Sequence, residues 1–399
     1  MNDTDYINLR RRQAQELSEL FYKYQNEKIV ANKIVVSTFE GDGGFCCNPR
    51  YIVEELLKRK EEYDIVWLTH DPSKHDFPKG VKTVEDSAEN TAFHLSTAKV
   101  WIDNYRKPWG TIKREGQIYL QTWHASIGFK AVGLYRGSRF PEIARIVSQA
   151  DSELIDTMII NSEYCRQVYP KKILYDGNML KVGSPRVDCL INNRDDLHSR
   201  LRKKYGLTHD VQILLYAPTF RGGTQKGKKQ VISETPSINF QMVINELEKK
   251  TGAKWYIFLR LHPQLSAKLE SMPISDVNDR LIDVSQEEDM SQVLGASDLL
   301  VTDYSSCAFD AMYAKIPVLL YADDVNEYVQ NRGQFMWKKE ELPFQITENN
   351  KELVKSIRGF EQLEYEKKVA LFIDKHGIVE DGKASSKVAD YIEGLYGRI

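Results

Sequence analysis

Two histidines stand just past apolar, β-rich runs, the place where an α/β protein brings side chains to a ligand. His124 lies in Gln121-Thr122-Trp123-His124-Ala125-Ser126 after the run Ile118-Tyr119-Leu120, and His262 lies in Arg260-Leu261-His262-Pro263 after the run Trp255 to Leu259. Imidazole titrates near neutrality, so either ring can take a proton from an attacking hydroxyl. One histidine alone is as readily a structural residue. Two, at strand ends in separate halves of the chain, can face a common cleft. Arg260 and His262 offer donors for phosphate oxygens, although Arg260 can also be read as a salt-bridged surface residue.

Two more constellations carry polar groups at strand ends. Val301-Thr302-Asp303-Tyr304-Ser305-Ser306 ends a strand and precedes the helical run Cys307 to Ala314, where hydroxyls and free backbone N–H groups can seat a pyrophosphate without a metal. A plain N-cap explains one of these serines and leaves the other without a role. Asp310, one turn further on, can orient a serine or bind a donor hydroxyl. Tyr216-Ala217-Pro218-Thr219-Phe220-Arg221 closes another strand, placing Thr219 and Arg221 on the same edge. Gly222 and Gly223 then read either as a mobile lid or as an ordinary turn.

Several chemistries are disfavoured. No G-x-G-x-x-G opens a helix after a strand and no P-loop is present, which argues against dehydrogenase and ATPase readings. No strand-end Asp-x-Asp stands out, so charge neutralisation is expected from His, Arg and helix N-termini, with no cofactor; a divalent-metal requirement stays open. The 55 basic and 57 acidic residues give a net charge of −2, without a field for nucleic acid. Five cysteines, Cys46, Cys47, Cys165, Cys189 and Cys307, form no C-x-x-C pair and suit a reducing cytoplasm.

The elements that must position these residues follow from pattern. A chain of 399 residues, 42% hydrophobic, suggests two globular domains. From Lys33 onward, β-rich runs alternate with helical stretches, the signature of doubly wound parallel α/β architecture. The first run, Lys33 to Phe39, leads into the glycine-rich turn Glu40-Gly41-Asp42-Gly43-Gly44, and Asn48-Pro49-Arg50 opens the next helix. We expect a first lobe over 1–190, a second over 191–382, and a final helix over 383–399 packing back across both. Lys226 to Lys229 read as a solvated loop. No apolar run spans a membrane and no signal-peptide core opens the chain. Leu17, Leu20, Phe21 and Tyr24 fall at helical spacing after Arg10, Arg11 and Arg12. Such a helix can lie on an anionic leaflet or pack on the neighbouring lobe.

In order, Gln121-Thr122-Trp123-His124, Gly183-Ser184-Pro185-Arg186-Val187-Asp188, Ala217-Pro218-Thr219-Phe220-Arg221, Arg260-Leu261-His262-Pro263 and Asp303-Tyr304-Ser305-Ser306 resemble the motif series of the CDP-glycerol glycerophosphotransferase family of teichoic acid and capsule synthesis. Asn48-Pro49-Arg50, Asp298, Asp310, Arg332-Gly333 and Glu380-Asp381-Gly382 extend the resemblance over nearly the whole chain.

The resemblance implies a GT-B fold, two Rossmann-like lobes with the active site in the cleft between them. It implies that His124 is the base and that His262, Ser305 and Ser306 hold the CDP diphosphate. We assign Arg260, Thr302, Asp303, Asp310, Pro218, Thr219 and Arg221 to the donor side, and Gly43, Gly44, Asn48, Trp123, Ser126 and Lys130 to the acceptor side. The expected reaction moves glycerol phosphate from CDP-glycerol to a lipid-linked glycan or a growing polyol-phosphate chain, at the inner face of the cell membrane. Ala125 to Lys130 resembles instead the variant of ribitol-phosphate-transferring relatives, which keeps CDP-ribitol as a second candidate donor. A nucleotide-sugar glycosyltransferase on the same scaffold and a non-catalytic protein that binds polyol-phosphate polymers also stay open.

Overall fold

The computed structural model describes residues 2–219, 237–261, 278–332 and 334–396. The chain divides into two compact units, one formed by 1–126, 131–188 and 376–399, the other by 127–130 and 189–375.

In the first unit the strands are β1 (Val30–Ser37), β2 (Asp64–Thr69), β3 (Val81–Glu85), β4 (Ala98–Asp103), β5 (Ile118–Gln121), β6 (Thr157–Ile160) and β7 (Met179–Lys181). All pair in parallel, in the order β3-β2-β1-β4-β5-β6-β7. Parallel strands are covered on both faces, which is why Ile34 to Ser37 are buried without alternation. Strand order reverses between β1 and β4, and the register pairs Ser37 with Asp103 and Asp103 with Gln121. Three strand ends therefore stand level at the point where doubly wound sheets bind ligands.

Helices α1 (Asp3–Lys23), α2 (Cys47–Leu56), α3 (Ala88–Thr97), α4 (Glu142–Leu154), α5 (Glu163–Lys172) and α6 (Pro185–Asn192) belong to this part of the chain. Asn2 caps α1 by accepting from the Asp5 N–H, and Asp3 and Asp5 favour its first turn. The apolar stripe of α1 is used internally: Phe21 is buried, and Leu17, Leu20 and Tyr24 pack with it against Val35, Leu95 and Trp101. The sequence offers a leaflet or the neighbouring lobe as the seat of this stripe; the stripe instead packs on the sheet of its own unit. The C-terminal helix Ala384–Tyr396 lays Val388, Ala389 and Ile392 against the other face of the same sheet, with Ile52 and Leu56 of α2. Among the described residues no helix is long and apolar enough to cross a membrane.

The second unit repeats the plan. After α7 (Arg194–Lys204) its strands are β8 (Val211–Tyr216), β9 (Lys254–Leu259), β10 (Leu281–Asp283), β11 (Leu299–Thr302), β12 (Val318–Tyr321) and β13 (Gln345–Thr347). They pair in parallel in the order β10-β9-β8-β11-β12-β13, reversing between β8 and β11. Helix α8 (Phe240–Thr251), capped by Asn239 and ended by Gly252 at φ +72°, buries Val243, Ile244 and Leu247 on this sheet.

Candidate functional site

In the first unit the site is built on the ends of β4 and β5. Gln121, fully buried, accepts the Trp123 N–H at 2.8 Å and donates at 2.7 Å to both the Tyr105 carbonyl and the Tyr119 hydroxyl. Thr122 donates from its N–H and its hydroxyl to the Asp103 carbonyl. Trp123 then adopts φ +51°, a left-handed conformation that costs a non-glycine residue about 1 kcal/mol and that functional sites tolerate. That turn presents His124.

The His124 ring is held on three sides. It stacks with Trp123 (4.7 Å between centroids) and Tyr105 (5.5 Å), and Phe39 meets it at 5.5 Å in a tilted contact. Its Nδ1 lies 2.9 Å from the Asn104 carbonyl oxygen. A carbonyl only accepts, so Nδ1 carries the proton and Nε2 is left with its lone pair. Enclosure pushes the imidazole pKa down to about 4; the Asn104 carbonyl opposes this, while Arg186, Lys172 and Arg106 reinforce it. Near pH 7 the ring is therefore neutral, with Nε2 able to accept a proton.

The other residues assigned to the acceptor side fall into different roles. Asn48, 1% exposed, donates to the carbonyls of Trp123 and Thr122 and accepts the Arg186 N–H, so its side chain clamps the histidine loop. Gly43 and Gly44 are required by close packing: a Cβ on either would come within 2.7 Å of a neighbouring side chain, Thr38 and Phe39 for the first, His75 for the second. Trp123 is a wall of the histidine site. Ser126 is buried 3.4 Å from Ser184. Lys130 is exposed and belongs to the second unit, where it bridges Phe335.

Asn104, Tyr105 and Arg106 were not among the candidates. Their signal was only that they follow a strand at the sheet's switch point. Arg106 lies 4.8 Å over Trp123, and Asn104 accepts the Phe39 N–H on Oδ1 while its Nδ2 finds no partner among the described residues. Beneath them lies a buried polar network in which Lys107 pairs with Asp103 at 2.6 Å and Asp151 accepts from the Lys107 N–H and the Tyr119 hydroxyl.

In the second unit Asp303, 2% exposed, takes the Thr219 N–H and hydroxyl and the Tyr304 N–H on its carboxylate, tying the ends of β8 and β11 together. Thr302 donates to the Ala217 carbonyl at 2.6 Å. Ser305 and Ser306 are partly exposed, and Ser306 makes no side-chain capping bond to the helix Cys307–Tyr313 that follows. Pro218 and Thr219 are partly exposed, and Asp310 is buried. Arg260 sends its guanidinium to the carbonyls of Val284, Glu287 and Glu288. Those bonds hold the turn after β10. His262 and Arg221 lie outside the described residues, as do Gly222, Gly223, Gly333 and Lys226 to Lys229.

At the end of β11 a cavity of about 120 Å³ is lined by Phe129, Asp303, Tyr304, Phe335 and Trp337. Among the described residues no cluster of three or more His, Cys, Asp or Glu could hold a metal ion.

Two parallel sheets with Rossmann strand order and polar groups at their switch points define an α/β protein of two Rossmann-like lobes, the GT-B-like class. The solved structure of the wall teichoic acid polymerase TagF has the same architecture, with a TM-score of 0.81 and 27% identity over 99% of this chain and 96% of that one. Residues 20–394 match the family described as CDP-Glycerol:Poly(glycerophosphate) glycerophosphotransferase, and the chain belongs to that family. It is 29% identical to the teichoic acid poly(glycerol phosphate) polymerase of Staphylococcus epidermidis over 96% of this chain and 53% of that protein. It is 27% identical to the teichoic acid poly(ribitol-phosphate) polymerase of Bacillus spizizenii, over 91% of this chain and 56% of that protein. The chain thus spans about half the length of these two relatives.

Proposed function

We propose that this protein transfers glycerol phosphate from CDP-glycerol to a hydroxyl of a growing polyol-phosphate chain or lipid-linked glycan, releasing CMP. The observation that carries the reading is the His124 ring, fixed by the Asn104 carbonyl so that Nε2 is unprotonated at neutral pH, in a chain of this family. The acceptor oxygen attacks the phosphorus that bears glycerol, its proton passes to Nε2, and the bond to the CMP oxygen breaks. The approach of an anionic donor raises the imidazole pKa from its resting value, which improves the base as the reaction begins.

On the donor side the reading uses Ser305 and Ser306 as hydroxyl donors to the diphosphate, with His262 and Arg221 as further cationic or donor groups. The aromatic cavity beside Tyr304 suits the pyrimidine ring. Thr219, Thr302 and Asp303 tie together the strand-end turns that carry these groups, and Asp303 also lines that cavity. We place the protein on the cytoplasmic side of the membrane, as its reduced-type cysteine pattern suits. Because α1 buries its apolar stripe on its own unit, any leaflet contact there falls to exposed Arg11 and Arg12, and flotation with anionic vesicles at low and high salt tests it.

Ribitol phosphate is the second reading, supported by Ala125 to Lys130 and by the ribitol-phosphate relative. Incubation with CDP-glycerol, CDP-ribitol and UDP-sugars, with separate detection of CMP and UDP, decides among these. CMP from CDP-glycerol supports the proposal. CMP from CDP-ribitol alone moves it to the second reading, UDP release overturns both, and polymer binding without any CMP makes the protein a binding module.

A further inference from the structure

Lys172 closes α5 with its side chain 4% exposed. Its ammonium donates to the carbonyls of Ala125 at 3.0 Å and Ser126 at 2.9 Å, the two residues that follow His124. The Cys165 thiol and the Tyr169 ring, whose centroid is 5.5 Å away, also lie near it. A buried ammonium held by carbonyls, with no carboxylate acting on it among the described residues, is costly to desolvate. Something other than stability must keep it there.

The end of α5 is itself braced. Gly133, at φ +60°, lies so close that a Cβ there would stand 2.3 Å from the Lys172 carbonyl oxygen, and Ser162 caps the helix start. A trans peptide points its C=O and N–H in opposite directions. Drawing the Ala125 carbonyl to Lys172 therefore turns the Ser126 N–H the other way, and none of the backbone bonds among the described residues uses that N–H.

We propose that Lys172 is a positioning residue for the transfer: it anchors the Ala125-Ser126 backbone so that His124 and the Ser126 N–H keep one fixed geometry. This rests on His124 acting as the base. The charge of Lys172 also bears on the imidazole, along with Arg186 at the start of α6 and Arg106 after β4, against the Asn104 carbonyl. All three cations favour the neutral ring.

Two variants separate geometry from charge. Lys172→Met keeps length but removes charge and donors; Lys172→Gln keeps a donor without the charge. CMP release from CDP-glycerol is measured against pH, and the His124 ring is titrated by NMR in histidine-labelled protein, its signal assigned by its loss in His124→Asn. In Lys172→Met, kcat should fall about 10- to 100-fold, with KM for CDP-glycerol unchanged within about twofold. Its His124 midpoint should rise by about one pH unit. Lys172→Gln should recover part of kcat while keeping the raised midpoint. Folded Lys172→Met with wild-type kcat and an unmoved midpoint overturns the proposal; if that variant does not fold, the same result in Lys172→Gln does so. Absence of CMP release by the wild type counts against the transfer reading, while the midpoint shift still decides whether Lys172 governs His124.

Discussion

At the scale of residues, the proposed base is a histidine whose ring cannot choose its tautomer. The Asn104 carbonyl fixes the proton on Nδ1, so replacing the imidazole removes the acceptor while the stacked walls can remain. His124→Asn should lower turnover by about 10²- to 10⁴-fold, the usual share of general-base catalysis, and leave CDP-glycerol affinity near wild type by calorimetry. Gln121 offers a separate test because one amide serves three partners. Gln121→Glu sets a carboxylate oxygen against the Tyr105 carbonyl, and the conflict should cost about 1–3 kcal/mol in urea unfolding together with a loss of kcat. His124 was legible because its residue type and strand-end position both speak. Asn104 was not: it acts on His124 through a backbone carbonyl, which any residue could supply. The left-handed turn at Trp123 was equally silent, since nothing in a tryptophan announces φ +51°.

At the scale of elements, several motifs that resemble the family have structural roles. Asp188 accepts the N–H groups of Ala384 and Ser385, capping the C-terminal helix, and Glu380 takes the Ser184 N–H and the Asn161 amide. Gly183 to Asp188 and Glu380 to Gly382 thus latch one helix onto the first unit. Asp188→Ala should cost about 1–2 kcal/mol, the value of a lost cap, read as a lower unfolding midpoint with little change in KM. Phe21→Ala, which hollows the seat of α1, should cost about 3–5 kcal/mol. The central strands are readable as continuous apolar runs, but β3, β7 and β13 are not. Each lies at an edge of its sheet and has partly exposed positions, so no continuous buried run marks it. The segment 127–130 was also unreadable as part of the second unit, because only tertiary bonds such as Met336 N–H to the Phe129 carbonyl place it there.

At the scale of the whole molecule, stability carries opposing pH dependences from groups buried in the first unit. Burial holds His94 and His124 at pKa values of about 4, below the ordinary 6.5. The unfolded chain binds those protons more readily, so their contribution is present above pH 6.5 and is lost as pH falls toward 4. Asp151 has the opposite sign. Burial raises its carboxyl from 3.8 to about 7, so its contribution is fully present below pH 3.8 and is lost as pH rises through 7. Over that span the loss is about 4 kcal/mol. Asp151→Asn keeps an acceptor for the Lys107 N–H and the Tyr119 hydroxyl but cannot ionise. The variant should therefore be more stable than wild type at pH 7.5, and this advantage should shrink toward zero at pH 4. Urea midpoints for both proteins at pH 4, 5.5 and 7.5 check the sign: an advantage that grows on acidification would mean that the ionised Asp151 is favoured by Arg106 and Lys107 more than burial penalises it. Because the titrating carboxyl lies beneath Tyr119 and Gln121, the same series read by CMP release shows whether the protein gives up this stability to hold the histidine site in shape.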